Sequence, residues 1–242
     1  MNATRLFSAV AVSALASASP LRAQSAADPT GHWEGKIHIP NRELNLAVDL
    51  AKNAGGAWIG SMSIPGTTTV DVPLTTVNVD AGAVRFTALL PGTTTFEGAL
   101  SADAASLAGT VSNHEGGVPF DLKRNGDASV KVPPPSSTLS SDFEGTWEGT
   151  LTIAGQALKI QLKLTRAADG LAAGTLISVD QNNVEIPITT VALQGPQLQM
   201  EARTISGLYK GTLSASGEIS GEWSQGPASA PLTFKRIAAA AK

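Results

Sequence analysis

The feature that most constrains this chain is that it repeats itself. Shifting the sequence by 114 positions places Gly31, Trp33, Glu34 and Gly35 on Gly145, Trp147, Glu148 and Gly149. The same shift places Leu44, Leu46, Val48 and Leu50 on Leu158, Ile160, Leu162 and Leu164, and Val72–Val77 on Ile186–Val191. With two one-residue slips in turns, Phe96-Glu97-Gly98 meets Tyr209-Lys210-Gly211, and Pro119–Arg124 meets Pro231–Arg236. So many ordered matches mark a duplicated unit, and each copy must bury its own core.

Within a copy the apolar period is two, the mark of a strand with one buried and one wet face. Trp33, Gly35, Ile37 and Ile39 share one phase, and Glu34, Lys36 and His38 share the other. Leu44, Leu46, Val48 and Leu50 alternate in the same way. Six further runs follow: Trp58–Ile64, Val70–Val79, Ala83–Leu89, Thr94–Ser101, Ser106–Ser112 and Val118–Arg124. Between them stand turn signals such as Pro40-Asn41, Asp80-Ala81-Gly82 and Glu115-Gly116-Gly117. The apolar phase slips across Thr75-Thr76, which predicts a β-bulge or bend there in both copies.

Eight short strands joined by short turns predict an antiparallel meander, and an even number can close and so abolish exposed edges. The expected fold is all-β: two tandem eight-stranded antiparallel up-and-down barrels, with a β-sandwich as the alternative. The modules span residues 31–124 and 145–236. A Pro/Ser-rich linker at 125–143 contains Pro133-Pro134-Pro135, and an alanine-rich tail occupies 237–242.

The first residues read as a signal peptide, 1–23. Arg5 supplies the positive charge, and Leu6–Leu15 form an apolar stretch too short to span a bilayer. Cleavage follows Ala23, with Ala18 as the second candidate. The mature chain is therefore expected in the periplasm or outside the cell, with no transmembrane span. It has no cysteine, which removes disulfides, thiol catalysis and thiolate metal sites together. A net charge of −3 gives no electrostatic case for nucleic acid.

Arg124 and Arg236 lie on the inward phase of the last strand of each copy. In an eight-strand meander that strand returns to the first, so each Arg can lie across Trp33 or Trp147 as a cation–π lid. These four residues are the expected structural closure. The pattern Gly-x-Trp on the first strand with a closing Arg on the last resembles the lipocalin signature, though each module is much shorter. The repeat, and Gly145–Arg236 above all, also resembles the N-terminal β-module that precedes the catalytic domain in many secreted bacterial α/β-hydrolases. The matching positions are Gly145, Trp147, Gly149, Gly174, Asp180, Pro187, Gly211, Gly221, Trp223 and Pro231–Arg236. The part that carries that family's catalytic residues has no counterpart here, so none carries over. What the resemblance implies is an accessory role, with an exported hydrolase or another envelope protein as partner.

The chemical inventory is sparse. No Gly-x-Ser-x-Gly elbow and no phosphate-cradling glycine loop before a helix are found. His32 and His38 sit on the outward face of one strand, about 20 Å apart at strand rise, and His114 lies in a turn beside Glu115. Two acidic positions recur, Glu34/Glu148 and Asp71/Glu185, both on the outward phase. No enzyme activity, metal or cofactor is expected. Trp58 and Trp223, each present in one copy only, are candidates for lining a ligand pocket at an open barrel end, or else for filling volume that Ala172 and Val111 leave to other side chains. The reading is thus an exported non-catalytic accessory or interaction protein; the alternatives are a carrier of a small hydrophobic ligand and, less favoured, an unrecognised hydrolase. Trp33→Ala should lower the stability of its module by about 3–5 kcal/mol through lost burial; urea denaturation would measure this, and an unchanged midpoint would refute the barrel-plug role.

Overall fold

Strand pairing follows the alternation. The computed structural model describes residues 28–237 apart from 93, 115 and 154. The expected signal peptide and residues 238–242 lie outside that range. The first module consists of β1 (Gly31–Ile39), β2 (Arg42–Lys52), β3 (Trp58–Ser63), β4 (Val72–Asp80), β5 (Ala83–Ala88), β6 (Thr94–Leu100), β7 (Ser106–Asn113) and β8 (Gly116–Arg124). Each strand pairs antiparallel with the next, and β8 returns to β1 to close an eight-stranded barrel. The β4–β5 hairpin turns on Ala81 and Gly82, at φ 46° and 88°, the left-handed pair that a two-residue primed turn requires.

Aromatic rings fill the middle of this barrel. Phe86 stacks on Phe96 at 4.6 Å between ring centroids, and Phe120 meets Phe96 edge-on at 5.6 Å. Leu46, Val48, Leu50, Met62, Leu107 and Leu122 complete the buried set. Side chains therefore occupy the centre, as the narrow bore of eight strands demands. Where strands cross most closely there is no room for a side chain: a Cβ on Gly109 would lie 1.9 Å from the Glu97 carbonyl oxygen.

The second module carries the same registers. Trp33 faces Val48 and Trp147 faces Leu162; Leu50 faces Gly60 and Leu164 faces Gly174; Gly98 faces Gly109 and Gly211 faces Gly221. Its strands are β9 (Gly145–Ile153), β10 (Gln156–Arg166), β11 (Ala172–Ser178), β12 (Val184–Pro187), β13 (Thr190–Gln194), β14 (Gln197–Ala202), β15 (Gly207–Leu213), β16 (Glu218–Gln225) and β17 (Ala228–Arg236). They form a curled nine-stranded sheet in the order β12-β11-β10-β9-β17-β16-β15-β14-β13.

The ninth strand corrects the expected count of eight, and its origin is the phase slip. In the first module the slip is a register shift between Leu74 and Thr76 inside one continuous strand. In the second the strand breaks at Ile188-Thr189. Ile188 donates its N–H to Gly174 on one side, and Thr189 donates to Glu201 on the other. The chain thereby steps from one edge of the sheet to the opposite edge; those edges do not pair with each other, so the second module, unlike the first and unlike the expected barrel, is not a closed ladder.

The connecting stretch is not all spacer. Residues 136–139 lie in the seam between β11 and β13. Ser137 N–H donates to Val191 O at 2.8 Å, Ala172 N–H donates to Ser137 O at 2.8 Å, and Thr138 bridges Leu171 antiparallel. The hydroxyls of Ser136 and Ser137 accept the N–H groups of Val191 and Leu193 at 3.1 and 3.0 Å. Leu139 and Phe143 are each about 1% exposed and belong to the second core. This segment serves as an extra short strand of the second barrel. Its small hydroxyl residues suit that place because they satisfy edge amides that no neighbouring strand reaches.

The modules also touch directly. Thr69 Oγ1 donates to Thr204 O at 3.0 Å and Ser206 Oγ to Thr68 O at 2.7 Å, while Arg203 reaches across to Asp71 O at 3.0 Å. Thr204 and Arg203 belong to a single 3-10 turn, Arg203–Ile205. Truncating the latch should be costly: Leu139→Ala is expected to lower the stability of the second module by about 2–5 kcal/mol. Hydrogen exchange localises the effect, with the amides of Val191 and Leu193 losing protection before those of β1–β8; equal loss in both barrels would contradict the latch.

Candidate functional site: the barrel mouths

Each barrel has one sealed end and one open end. At the sealed end of the first, the Trp33 indole donates to Pro29 O at 2.9 Å and the Arg124 guanidinium lies 4.6 Å from the ring centroid. That guanidinium donates to the carbonyls of Ala104, Thr30 and Asp28. In the second, Trp147 donates to Phe143 O at 3.0 Å, Arg236 lies 4.1 Å from its ring, and Glu144 and Asp142 carbonyls receive the guanidinium. The charge is thus held mainly by an aromatic face and backbone oxygens, with no ion pair to a carboxylate among the described residues, though hydrogen bonds from Thr30 and, to a smaller extent, the Arg124 charge lower the pKa of Asp28. A glycine is needed beside it: Gly145 sits at φ 131°, and a Cβ there would lie 2.8 Å from Arg236 Nη1.

Trp58 lies at this sealed end and so lines no open mouth. It starts β3 opposite Lys52, near the Leu50–Gly60 pair, half-buried with Lys52 Nζ 4.9 Å above its ring. The reason is direction: β3 runs away from the sealed end, so its first residue is the one farthest from the mouth. Inward phase alone cannot tell the two ends apart.

The opposite end of the first barrel holds an apolar recess of about 440 Å³. Ile37, Ile39, Leu44, Val111 and Val118 form its apolar wall, and Thr94, Ser112 and Asn113 stand among them. The corresponding recess of the second barrel measures about 90 Å³. There Leu151, Ile153 and Leu158 take the places of Ile37, Ile39 and Leu44, while Trp223 takes that of Val111. Phe96 faces Val111 as Tyr209 faces Trp223, so the equivalence is one of register. The larger indole has room because Gly207 stands where the first barrel has Thr94; a Cβ on Gly207 would lie 2.4 Å from the ring.

The second mouth has a polar fringe. Ser178, about 1% exposed, donates its hydroxyl to Gln181 Oε1 at 2.8 Å, and Gln225 lies on the same rim. Trp223 is about 3% exposed, and its Nε1 has no hydrogen-bond partner among the described residues. Deeper in, Tyr209 points its hydroxyl at the Ile219 and Leu232 carbonyls, and burial pushes its pKa well up. A larger hollow of about 880 Å³ crosses the outer face of β13–β17, but Gln194, Gln197, Gln199, Lys210 and Glu222 line it. It is a wet polar surface, where binding has less to gain than in an apolar recess.

The titratable residues gather elsewhere, on the outside of β1. His32 Nδ1 meets Asp49 Oδ1 at 3.0 Å and Nε2 meets Glu34 Oε1 at 3.2 Å. The same carboxylates tie down the connecting stretch: Asn125 donates to Glu34, and Ser129 N–H donates to Asp49 at 2.7 Å. His38 pairs with Asp121, and Lys36 with Glu43. In the second copy Glu148 pairs with Lys159 at 3.0 Å. Asp71 contributes its carbonyl to Arg203, Glu185 lies on β12, and His114 sits in the β7–β8 turn. Among the described residues no group of three His, Cys, Asp or Glu side chains is placed to hold a metal ion.

No family model and no curated protein matches the chain. Among solved structures it is similar to a DUF3598-family protein of unknown function from Nostoc punctiforme, at 11% identity and TM-score 0.27 over 86% of this chain and 96% of that one. It is also similar to a "putative outer membrane protein" from Bacteroides fragilis, at 12% identity and TM-score 0.29 over 86% and 97%. Both scores lie below 0.5, and the architecture described above rests on this chain's own strand pairing.

The His32 clamp makes stability pH-dependent. Partial burial disfavours the imidazolium, but hydrogen bonds and charge from Asp49 and Glu34 outweigh it and raise the His32 pKa above 6.5. The Glu34 pKa falls below 4.5 through its bonds to His32 and Asn125. A raised histidine stabilises fully below its unfolded value and loses that contribution as pH rises through the folded value; a lowered glutamate does the reverse on the acid side. The stability difference between the protein and His32→Gln should therefore be largest between pH 4.5 and 6.5 and shrink above that window. Denaturation midpoints across pH 4–9 measure it, and a pH-independent difference would rule the clamp out.

Proposed function

We propose that this chain is an exported, non-catalytic binding protein that holds a small apolar group in the open mouth of its first barrel. The observation that carries this reading is the 440 Å³ recess walled by Ile37, Ile39, Leu44, Val111 and Val118, opposite the end closed by Trp33 and Arg124. That volume falls within the range of small-molecule sites, roughly 300–1,000 Å³. Phe86, Phe96 and Phe120 occupy the barrel centre, so the recess is shallow. Its occupant is accordingly a small molecule or the apolar end of a larger one, including one displayed by a partner protein such as an exported hydrolase.

Two further features support the reading. Neither recess has His, Asp, Glu, Lys or Arg in its described wall, and a hydroxyl with no adjacent base is a poor nucleophile. Charged side chains cover the outer face instead, as with Lys36, Arg85, Glu97 and Asp121. A barrel apolar inside and charged outside is built for water; lipid-spanning barrels have the inverse pattern. No helix among the described residues is long and apolar enough to cross a membrane. The leader-like residues 1–23 are the basis for placing the mature chain in the periplasm or outside the cell.

The difference between the two mouths supplies the test. Val111→Trp combined with Thr94→Gly copies the pair that narrows the second mouth, and it should weaken binding of a fluorescent naphthylamine probe to the whole chain roughly tenfold or more while leaving the far-ultraviolet circular dichroism spectrum unchanged. A chain that shows no saturable probe binding, or a variant that binds as well as the parent, would sink the proposal.

A further inference from the structure

The lip of the first mouth carries a cation that the fold does not use. Arg42 opens β2, directly across the Pro40-Asn41 turn from Ile39, which lines the recess. Its chain neighbour Glu43 faces His38 and pairs with Lys36 and His38 on the outer surface. Alternation then turns Arg42 to the inner face, in phase with Leu44, another lining residue. The side chain is exposed, and it makes no hydrogen bond or ion pair among the described residues.

Every other described arginine is engaged. Arg85 pairs with Glu97 and Arg166 with Glu144, Arg203 reaches the Asp71 carbonyl, and Arg124 and Arg236 seal the far ends. Nor does the hairpin need a cation at this place. In the second module Gln156 faces Ile153 just as Arg42 faces Ile39, and the turn closes in the same way.

The position suits one kind of ligand. The recess wall is uncharged, so a carboxylate drawn inside would lose its hydration without a counter-charge. At the lip it keeps part of its water and meets a guanidinium whose planar fork matches its two oxygens. Phe86, Phe96 and Phe120 fill the barrel below, which limits the tail to a short one.

We infer that the first mouth takes a short-chain carboxylate amphiphile, with its apolar tail in the recess and its head on Arg42. This rests on reading that mouth as an apolar site and adds the charge of what it holds. The second mouth, with Gln156 at its lip and a recess of about 90 Å³, offers neither the charge nor the room.

Calorimetric titration of the full chain with octanoate and, separately, with octanol tests this. The readout is the ratio of the two affinities, which cancels what the tail contributes. Arg42→Gln copies the second lip and should lower that ratio about fivefold, the upper end for a solvent-exposed ion pair. Arg42→Lys keeps the charge without the fork and should restore part of it. In the parent chain, raising sodium chloride from about 0.02 M to about 0.5 M should lower the ratio as well, because screening reaches the head and spares the tail. That arm decides alone where a variant folds poorly. Saturable binding of both compounds with a ratio indifferent to Arg42→Gln or to salt would overturn the inference and leave the apolar mouth standing. Binding of neither compound would overturn it together with the broader reading.

Discussion

The return of the last strand to the first is the contact on which both modules depend. Trp33 faces Arg124 across β1 and β8, and Trp147 faces Arg236 across β9 and β17. Each guanidinium lies over the indole while its N–H groups hold carbonyls of the chain just ahead of the first strand. One side chain therefore joins the last strand, the core and the incoming segment. A cation held this way loses less to dehydration than one paired in a dry core, because an aromatic face and peptide oxygens replace its water. Sealing one end in this manner commits any binding to the other.

Much of the fold was legible because its cause is local. A period of two, interrupted by Gly, Pro and Asn, locates the strands of both copies, and the phase slip at Thr75-Thr76 located the irregularity in β4. Its outcome differed between the copies for a reason the pattern does not carry: Leu74–Thr76 stays in one strand, whereas Ile188-Thr189 splits its hydrogen bonds between two. The serines and prolines of 125–143 read as spacer because hydroxyl residues are common in spacers. That they also satisfy the open edges of β11 and β13 is a tertiary fact.

The candidate site was legible only in part. Trp58 and Trp223 share an inward phase, and phase cannot say which end of a barrel a residue occupies. Direction can: Trp58 opens its strand at the sealed end, and Trp223 lies near the end of its own, at the mouth. The paired exchange of Val111 and Thr94 for Trp223 and Gly207 stands in the sequence at matching positions, but its meaning needs the pairing of neighbouring strands. One scaffold thus carries two recesses that differ in volume and in lining.

The strap between the barrels has a consequence for how they move. Ser129 and Lys131 are bonded to side chains of β2 and β3, and Ser136 to the edge of β13. Between those anchors stand Val132 and three prolines, a stretch of four residues. Extended at about 3.1 Å per residue, it spans only about 12 Å and bends little. A tether this short and stiff holds the β2–β3 wall of one module near the edge strand β13 of the other, so the two modules move as neighbours and not as beads on a slack string.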